Sequence, residues 1–263
     1  MTTAAPPHRT DSDPMDPARA NALAAALGQP QRYGTGDPLP PFAHQIYFWE
    51  AQPPDRLGRD GHPRLGEFLP DLGLPNRMWA AGELVFHAPL LAGIRAERTS
   101  RVEAVTRKQG RSGRLGFVRV RHDIRQRRAL VLTEHQDIVY REAGPRPEPP
   151  RAPTDETHRE RRGFDSTLLF RYSALTFNGH RIHYDEAYAR QVEGYDGLVV
   201  HGPLLAHLLM DLAARRRGAF RGFAYRATAP LMHHETADLC LAGDMLWVRG
   251  PNGRGCMEAR VTL

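Results

Sequence analysis

The fold is decided by a stretch near the C-terminus, which reads Gly202-Pro-Leu-Leu-Ala-His-Leu-Leu-Met-Asp-Leu-Ala-Ala-Arg-Arg-Arg-Gly218. Pro203 fits a first helical position, Arg215–Arg217 complement the negative end of the helix dipole, and Gly218 stops the helix. A helix that is apolar on almost all sides is buried in a protein core. The apolar residues here are Leu204, Leu205, Leu208, Leu209, Met210, Leu212 and Ala213. The sequence therefore predicts a buried central helix over Pro203–Arg217.

Runs typical of strands lie on both sides of this helix. Those after it are Phe223–Ala229, Asp238–Ala242, Met245–Arg249 and Met257–Leu263, with the turn sequence Pro251-Asn-Gly253 before the last one. Those before it are Glu83–His87, Ile94–Thr106, Leu115–Arg125 and Ala129–Arg141, with a turn at Gly110-Arg-Ser-Gly113. Short turns between consecutive strands imply an antiparallel sheet. The predicted fold class is α+β, with a sheet wrapped around the helix.

The chain divides into four segments by composition. Residues 1–41 form an N-terminal arm with a polar, frayed start, Met1–Pro14, and a short helix, Ala18–Leu27, which Asp16 caps. Residues 42–143 form a first small domain, and 163–263 form a second one in which Asp185 caps Glu186–Gln191. Residues 144–162 are rich in proline and charge, and such a segment cannot bury enough apolar area to fold alone. They are predicted to form a disordered linker.

Composition excludes several classes of protein. The 263 residues carry a formal net charge of +6 and two cysteines. No apolar run approaches the ~20 residues that cross a bilayer, and no secretory signal opens the chain. Two cysteines are too few for a disulfide framework. The arginines are scattered, without a basic helix or an aromatic platform, which argues against nucleic-acid binding. We expect a cytoplasmic protein without a membrane segment.

The densest polar cluster lies in the loop Asn178–Asp185, upstream of His201 and the predicted helix. One interpretation is a metal site built from His180, His183, His201 and either His233 or His234, although no acidic partner stands at a recognised ligand spacing. A second interpretation is structural. Asn178 and Gly179 then form a turn, His180 and Arg181 face solvent, and Asp185 is only a helix cap.

A third interpretation is acid–base catalysis. An amide and an imidazole in one loop can hold a water molecule between them. Gly202, at a helix N-terminus, offers a backbone N–H to an oxygen that gains negative charge. Adding water to a C=C bond conjugated with a carbonyl needs a base for the water and a donor for the enolate oxygen. The apolar neighbours Ile182 and Tyr184 favour a partly buried place for His183, but the residues alone leave all three interpretations open.

Four stretches resemble a known superfamily. Phe170–Asp185 and Gly197–Leu204 look like the MaoC-like dehydratase/hydratase superfamily. Leu74–Gly82 and Leu84–Leu90 look like the N-terminal domain of its double hot-dog acyl-CoA hydratases, the mesaconyl-C4-CoA and itaconyl-CoA hydratases. Type 2 hydroxyacyl-thioester dehydratases are also similar. The resemblance covers most of residues 42–263. It implies a double hot-dog, two sheets each wrapped around a central helix, with a degenerate first domain and a catalytic second one.

The resemblance also implies roles for the loop residues. The superfamily motif carries an Asp, an Asn two positions on and a His five positions after the Asp. Aligned on His183, this chain has Asn178 and His180 in the first two places. An amide cannot accept a proton as a carboxylate can. His183 is therefore implied to be the sole proton-transfer base, while Asn178 orients the water and the Gly202 N–H polarises the thioester carbonyl.

The implied reaction is addition of water to, or its removal from, a short or dicarboxylic enoyl-CoA such as mesaconyl-C4-CoA or itaconyl-CoA. His180, His201 and Arg226 are predicted to bind substrate, and Arg171 or Arg181 to hold a substrate carboxylate. The resemblance implies an acyl-CoA partner, no cofactor, no metal, and a homodimer or higher homo-oligomer.

Three alternatives stay open. The first is a dehydratase of 3-hydroxyacyl groups on CoA or a carrier protein, and the second is a non-catalytic acyl-CoA-binding protein. The third, a thioesterase, is disfavoured because no acidic residue stands at position 178. The first half has no counterpart of the loop motif, so His44, His62 and His87 are assigned to contexts unrelated to the site.

Overall fold

Ten strands form one continuous antiparallel sheet in the computed structural model, which describes residues 8–110, 113–142, 144 and 148–263. The first five strands are β1 His8–Asp13, β2 Asn76–Phe86, β3 Ala96–Gly110, β4 Gly113–Gln126 and β5 Ala129–Arg141. The second five are β6 His158–Gly163, β7 Gly222–Ala227, β8 Thr236–Ala242, β9 Met245–Arg249 and β10 Gly255–Thr262.

The strand order shows that the two halves repeat one arrangement. The sheet runs β1-β3-β4-β5-β2-β7-β10-β9-β8-β6, so each half places its strands in the order first, third, fourth, fifth, second. The halves join where β2 pairs antiparallel with β7, from Ala81 opposite Arg226 to Val85 opposite Gly222. The centre of the sheet is therefore the boundary between two copies of the same topology.

Side-chain alternation gives the sheet one buried face. Along β4 the buried residues recur at every second position, as expected for a strand with one side against a core. Two polar side chains, His122 and Gln126, belong to this buried row. The inner surface of the first half is therefore not purely apolar.

The helices are α1 Pro17–Leu27, α2 Ser166–Thr176, α3 Glu186–Gln191 and α4 Gly202–Arg217. Side chains of Asp16, Asp165 and Asp185 accept hydrogen bonds from backbone N–H groups at the starts of α1, α2 and α3, and such caps stabilise a helix by about 1 kcal/mol each. Both predicted caps, at Asp16 and Asp185, are confirmed.

The predicted central helix is confirmed as α4. Ten successive residues, Leu204–Ala213, are buried, and α4 packs on strands β7, β8, β9 and β10. Burial of a Leu or Met side chain contributes about 1.5–3 kcal/mol. The α4 side chains belong to one core that also contains residues of α1, α2 and the first-half sheet. This shared core holds the two halves together and fixes the N-terminus of α4 near their boundary.

The structure corrects three expectations about the ends of elements. His8–Asp13, expected to be frayed, pairs with Ala96–Arg101 as edge strand β1. Residues 158–162, assigned to the disordered linker, belong to β6 and pair with β8. Residues 150–157 of the same segment are also ordered against the second half, where the Ala152 N–H donates to the Gly253 oxygen and the Thr157 N–H to the Leu241 oxygen. Strand β2 begins at Asn76 rather than Glu83. The two edge strands are short and polar, so their sequences lack the apolar alternation that reveals strands in a core.

The double hot-dog prediction differs from the structure in two details. The two predicted sheets are one continuous ten-stranded sheet, because β2 pairs with β7. A long central helix, α4, lies in the second half, whereas the described part of the first half has the 11-residue α1 and the 3₁₀ turns Ala43–Ile46 and Pro54–Arg56. The Pro- and Gly-rich sequence between α1 and β2 does not support a second long helix. The domain boundaries at 42, 143 and 163 stay a prediction.

Two other expectations from the sequence concern the turn at 110–113 and the lack of a membrane segment. The turn predicted at 110–113 includes residues 111 and 112, which lie outside the described residues, as do residues 1–7 of the arm. No helix within the described ranges is long and apolar enough to cross a membrane.

Candidate active site

His183 sits in a short 3₁₀ turn, Arg181–His183, that is tied to the segment leading into α4. Its Nδ1 lies 2.7 Å from the carbonyl oxygen of Val199, and the N–H of Val199 donates to the oxygen of Ile182. A carbonyl oxygen only accepts, so Nδ1 carries the proton and donates it. The other ring nitrogen, Nε2, is left with its lone pair and can act as a base.

Burial keeps His183 uncharged. The side chain is 6 % exposed, and burial, with a smaller contribution from neighbouring His180, lowers the pKa of His183 to about 3. The hydrogen bond to Val199 opposes this shift only in part. At neutral pH the imidazole is therefore free to accept a proton.

His201 provides a second fully buried imidazole at the start of α4. Its ring stacks on that of His183 with centroids 3.6 Å apart and planes 19° from parallel. Its Nε2 lies 2.8 Å from the Ser173 hydroxyl. Burial, followed by repulsion from His183, holds the pKa of His201 well below the usual value. His201 therefore positions the His183 ring from α4 without adding charge.

Gly202 begins α4 beside this stacked pair. The first backbone bond of the helix runs from Leu205 N–H to His201 oxygen, so the Gly202 N–H is one of the donors that a helix start leaves unpaired within the helix. A Cβ at position 202 would meet the Trp79 ring at 2.9 Å. Trp79 is on β2, so the first half closes against the helix start and leaves room there only for glycine.

Asn178 follows the end of α2. Phe177 has φ +51°, a left-handed conformation that ends the helix, and the Asn178 N–H then donates to the Ser173 oxygen at 2.8 Å. The Asn178 Oδ1 accepts the backbone N–H of His180 at 3.0 Å. The side-chain oxygen therefore shapes the loop, while the amide nitrogen is the group of Asn178 that remains to orient a water.

The first half of the chain also contributes a residue to the site. His62, from the loop between α1 and β2, places its ring 4.4 Å from the ring of His180, which in turn lies 5.5 Å from that of His183. We call His62, His180, His183 and His201 the imidazole cluster. Burial, followed by repulsion from His62, lowers the pKa of His180 to about 3.

A cavity of about 810 Å³ opens beside the cluster and is lined by both halves. Its walls include Ser173, which contacts His201, and His62, which contacts His180, together with Asn178 and Pro203. Drug-sized and cofactor-sized ligands occupy pockets of about 300–1,000 Å³. The cavity is large enough for an acyl group and part of its carrier.

The predicted substrate-binding arginines are placed differently from one another. Arg181 donates to Asp185 Oδ2 through two nitrogens, at 3.1 and 2.7 Å, and lies over the Tyr188 ring. Arg171 on α2 and Arg226 on β7 are exposed. None of the three is among the described residues that line the cavity. The same holds for His180, His183, His201 and Gly202, whose neighbours in the chain, Gly179, Tyr184 and Pro203, line it. Arg77, which the sequence did not single out, does line it.

The four-histidine metal site considered from the sequence is not assembled. His233 exchanges hydrogen bonds with Leu198, and its ring is 5.3 Å from that of His234. The described residues instead bring together atoms of Asp60, His62 and His180 within 4.8 Å of one another. Arg77 Nε lies 3.4 Å from the Asp60 carboxylate, and such a guanidinium disfavours a cation there.

Sequence reasoning missed the contribution of the first half. The expectation that His62 stands in an unrelated context is wrong, because its ring contacts His180. The available signal was Gly58-Arg-Asp-Gly-His62, a turn-like sequence with an Asp two residues before a His. Nothing in the sequence shows that this turn meets Asn178–His183, since that contact depends on how the halves pack.

The buried imidazoles predict acid instability. Burial lowers the pKa of His122 to about 4 and those of His180 and His183 to about 3. Below an unfolded pKa of about 6.5, the unfolded chain binds protons that the folded chain excludes, so stability falls as pH falls from 6.5 towards 4. Three such groups together lower the free energy of unfolding by as much as about 4 kcal/mol for each unit by which the pH falls near pH 5.

Thermal unfolding between pH 7.5 and 5 measures this effect. We expect a nearly constant Tm above pH 7 and a steep fall below 6.5. The slope of the free energy of unfolding against pH gives the number of protons taken up on unfolding. In His122→Asn this number should decrease by about one. A Tm that stays level down to pH 5 would contradict the buried, neutral state of these rings.

Comparison with known proteins identifies the family of this chain. The sequence model of hydroxyacyl-thioester dehydratase type 2 matches residues 42–233. The chain is 45% identical over 256 residues to mesaconyl-C(4)-CoA hydratase of Chloroflexus aurantiacus, covering 94% of this chain and 91% of the relative.

Solved structures agree on the fold. A MaoC-like dehydratase from Phytophthora capsici matches with a TM-score of 0.66 at 14% identity, over 98% of this chain and 96% of the other. A conserved Mycobacterium tuberculosis protein with a double hot-dog fold matches with a TM-score of 0.58 at 14% identity, over 98% and 96%. The predicted α+β double hot-dog class is confirmed. The chain therefore belongs to the hydroxyacyl-thioester dehydratase type 2 family, whose relatives are named as hydratases and dehydratases, that is, as hydro-lyases.

Proposed function

We propose that this chain adds water to the C=C bond of mesaconyl-C4-CoA or of a closely similar short dicarboxylic enoyl-CoA. The observation that carries the proposal is His183, a buried neutral imidazole with a free Nε2 beside the N-terminus of α4. The 45% identity to a mesaconyl-C(4)-CoA hydratase supports the choice of substrate.

The proposed mechanism uses one base and one oxyanion donor. His183 Nε2 takes a proton from water, and the resulting hydroxide adds to the carbon β to the thioester. Negative charge moves to the thioester oxygen, where the Gly202 N–H donates a hydrogen bond. The His183 imidazolium then returns its proton to the α-carbon, so that one water is added and His183 ends neutral. Asn178 orients the water through its amide nitrogen.

A panel of thioesters tests the proposal. Crotonyl-CoA, mesaconyl-C4-CoA and itaconyl-CoA are followed by loss of the enoyl-thioester absorbance, and a thiol reagent reports free CoA. We expect loss of absorbance without CoA release, with the highest kcat/KM for mesaconyl-C4-CoA. Release of CoA would indicate a thioesterase, and no change with any substrate would indicate a binding protein; either result contradicts the proposal.

The family to which the chain belongs favours one rival within the same reaction class, a dehydratase of 3-hydroxyacyl thioesters. Saturated 3-hydroxyacyl-CoAs of increasing chain length distinguish it, because they lack the second carboxylate. A kcat/KM for these compounds above that for mesaconyl-C4-CoA would favour the rival.

The substrate carboxylate needs a cationic partner, and Arg77 is the most direct candidate. Its side chain is 13% exposed, lines the cavity and contacts Asp60, the partner of His62. Hydrogen bonds to charged groups contribute about 1.5–3 kcal/mol, so Arg77→Gln should raise KM for mesaconyl-C4-CoA about 10- to 100-fold. KM for crotonyl-CoA, which has no second carboxylate, should change much less.

The same substitution at Arg171 and at Arg181 tests the candidates suggested by the sequence. Unlike Arg77, neither is among the described residues that line the cavity, so we expect a small change in KM at both. A rise selective for mesaconyl-C4-CoA at Arg171 or Arg181 instead of Arg77 would overturn the assignment.

A further inference from the structure

A loop of the first half is built into the active site. Its backbone meets the loop that carries Asn178 and His180, because the Arg181 N–H donates to the Asp60 oxygen at 2.9 Å. A Cβ on Gly61 would lie 2.0 Å from the Gly179 oxygen, and Gly61 has φ +85°. Glycine at both positions allows this contact. The two loops therefore touch without intervening side chains.

The first-half loop is held in shape by its own hydrogen bonds. The Gly58 N–H donates to the His62 oxygen at 2.7 Å, and the Gly61 N–H donates to the Gly58 oxygen at 3.0 Å. The His62 N–H donates to Asp60 Oδ1 at 3.1 Å. This tight turn fixes the Asp60 carboxylate and the His62 ring relative to the imidazole cluster.

Asp60 and His62 form a carboxylate–imidazole pair. His62 Nδ1 lies 3.2 Å from Asp60 Oδ2, and Arg77 Nε lies 3.4 Å from the same oxygen. Because an ionised carboxylate only accepts, Nδ1 carries the proton, and the other ring nitrogen is made more basic. Burial alone would raise the pKa of Asp60, but His62 and Arg77 together hold it below its usual range. Asp60 is thus negatively charged at neutral pH.

The reaction needs such a negative charge. When His183 takes a proton from water, a positive charge appears in a buried place, and burial, His180 and, less strongly, His62 disfavour it. The superfamily motif would place a carboxylate at position 178, but the side chain here is a neutral amide whose oxygen accepts the His180 N–H. The compensating charge must come from another residue.

We propose that Asp60, acting through His62, supplies the negative charge that the site lacks at Asn178 and so stabilises the His183 imidazolium. Both act as positioning residues, and neither gains or loses a proton in the reaction. The inference rests on the proposed hydratase activity. Three successive contacts support this inference: Asp60 with His62, the His62 ring with the His180 ring, and the His180 ring with the His183 ring.

Asp60→Asn tests the role of the charge with little change in shape. The single amide oxygen can still accept the backbone N–H of His62, so the turn should persist, while the contacts of Asp60 Oδ2 with His62 Nδ1 and Arg77 Nε are lost together with the charge. We expect kcat for hydration of mesaconyl-C4-CoA to fall at least tenfold, with KM within about threefold of the wild-type value and an unchanged Tm. His62→Gln should give a similar loss, and the double variant should be no worse than either single one, because the two residues act as a unit.

Asn178→Asp in the Asp60→Asn background separates a charge role from a structural one. It returns a carboxylate to the motif position but removes the amide nitrogen that orients the water, so its own effect is first measured in the otherwise wild-type chain. Relative to Asn178→Asp alone, the added Asp60→Asn should then lower kcat less than threefold, because position 178 carries the charge. A merely structural Asp60 would not be rescued from position 178. Glu103→Gln is the matched control, because Glu103 pairs with His135 at 3.3 Å in the first half away from the cavity. Its kcat should equal that of the wild type.

Two results would overturn the inference. One is a kcat of Asp60→Asn within threefold of the wild type. The other is a loss that comes with a lowered Tm and is just as large in the Asn178→Asp background. Failure of the proposed function looks different, because the wild-type chain itself would then show no hydration.

Discussion

Replacing His183 with asparagine should lower kcat for hydration by about 10²–10⁴-fold, the range that a positioned general base contributes. Asparagine can still donate to the Val199 oxygen, but it has no basic nitrogen to replace Nε2. The neighbouring His201 ring cannot take over, since its Nε2 is bonded to the Ser173 hydroxyl. The loss should appear in kcat, with little change in KM.

Circular dichroism and the Tm of His183→Asn serve as the folding control. His234→Asn is the matched substitution, because His234 is exposed and lies outside the imidazole cluster. We expect wild-type kcat from it. Substantial turnover by a folded His183→Asn protein would remove His183 from the role of base.

Gly202→Ala is expected to have the second-largest effect. The added Cβ would lie 2.9 Å from Trp79 Cε3, closer than carbon atoms tolerate. Trp79 cannot swing away easily, because its ring stacks on Tyr225 at 4.5 Å and packs against Phe42. The start of α4 must then move, and the Gly202 N–H with it. Loss of one oxyanion donor costs about 2.7–4 kcal/mol, so kcat should fall by as much as 10²–10³-fold.

Adding Trp79→Leu to Gly202→Ala tests the steric cause. The smaller side chain removes the obstacle, so the double variant should recover part of the lost kcat even though the Trp79–Tyr225 stacking is also lost. Kinetics and Tm are measured for both single variants and the double one. If Gly202→Ala alone keeps wild-type kcat, the helix start does not supply the oxyanion donor.

Much of the fold could be predicted because its signals are local. The apolar circumference of α4, the capping residues Asp16 and Asp185, and the alternation along β4 are properties of neighbouring residues in the chain. Strands β1 and β6 could not be predicted, since they are short, polar edge strands that exist through pairing with β3 and β8. Their sequences alone favour loops.

The candidate site likewise contains residues that a local sequence motif identifies and residues that it does not. Asn178, His183 and Gly202 stand near one another in sequence, and the resemblance to a family motif identified them; their roles stay proposals. Asp60 and His62 are more than a hundred residues from that motif. Their place at the site depends on the contact of Gly61 with Gly179 across the two halves, and no local pattern encodes such a contact. The same packing brings Trp79 against Gly202.

In the proposed reaction the chain adds water to an enoyl thioester with His183 as the base. The most direct measurement incubates the wild-type chain and His183→Asn with mesaconyl-C4-CoA in ¹⁸O-labelled water and analyses the CoA products by mass spectrometry. We expect an intact thioester that has gained one labelled water at its hydroxyl group with the wild type, and almost none with His183→Asn. Free CoA with the label in the released carboxylate, or equal labelling by both proteins, would contradict it.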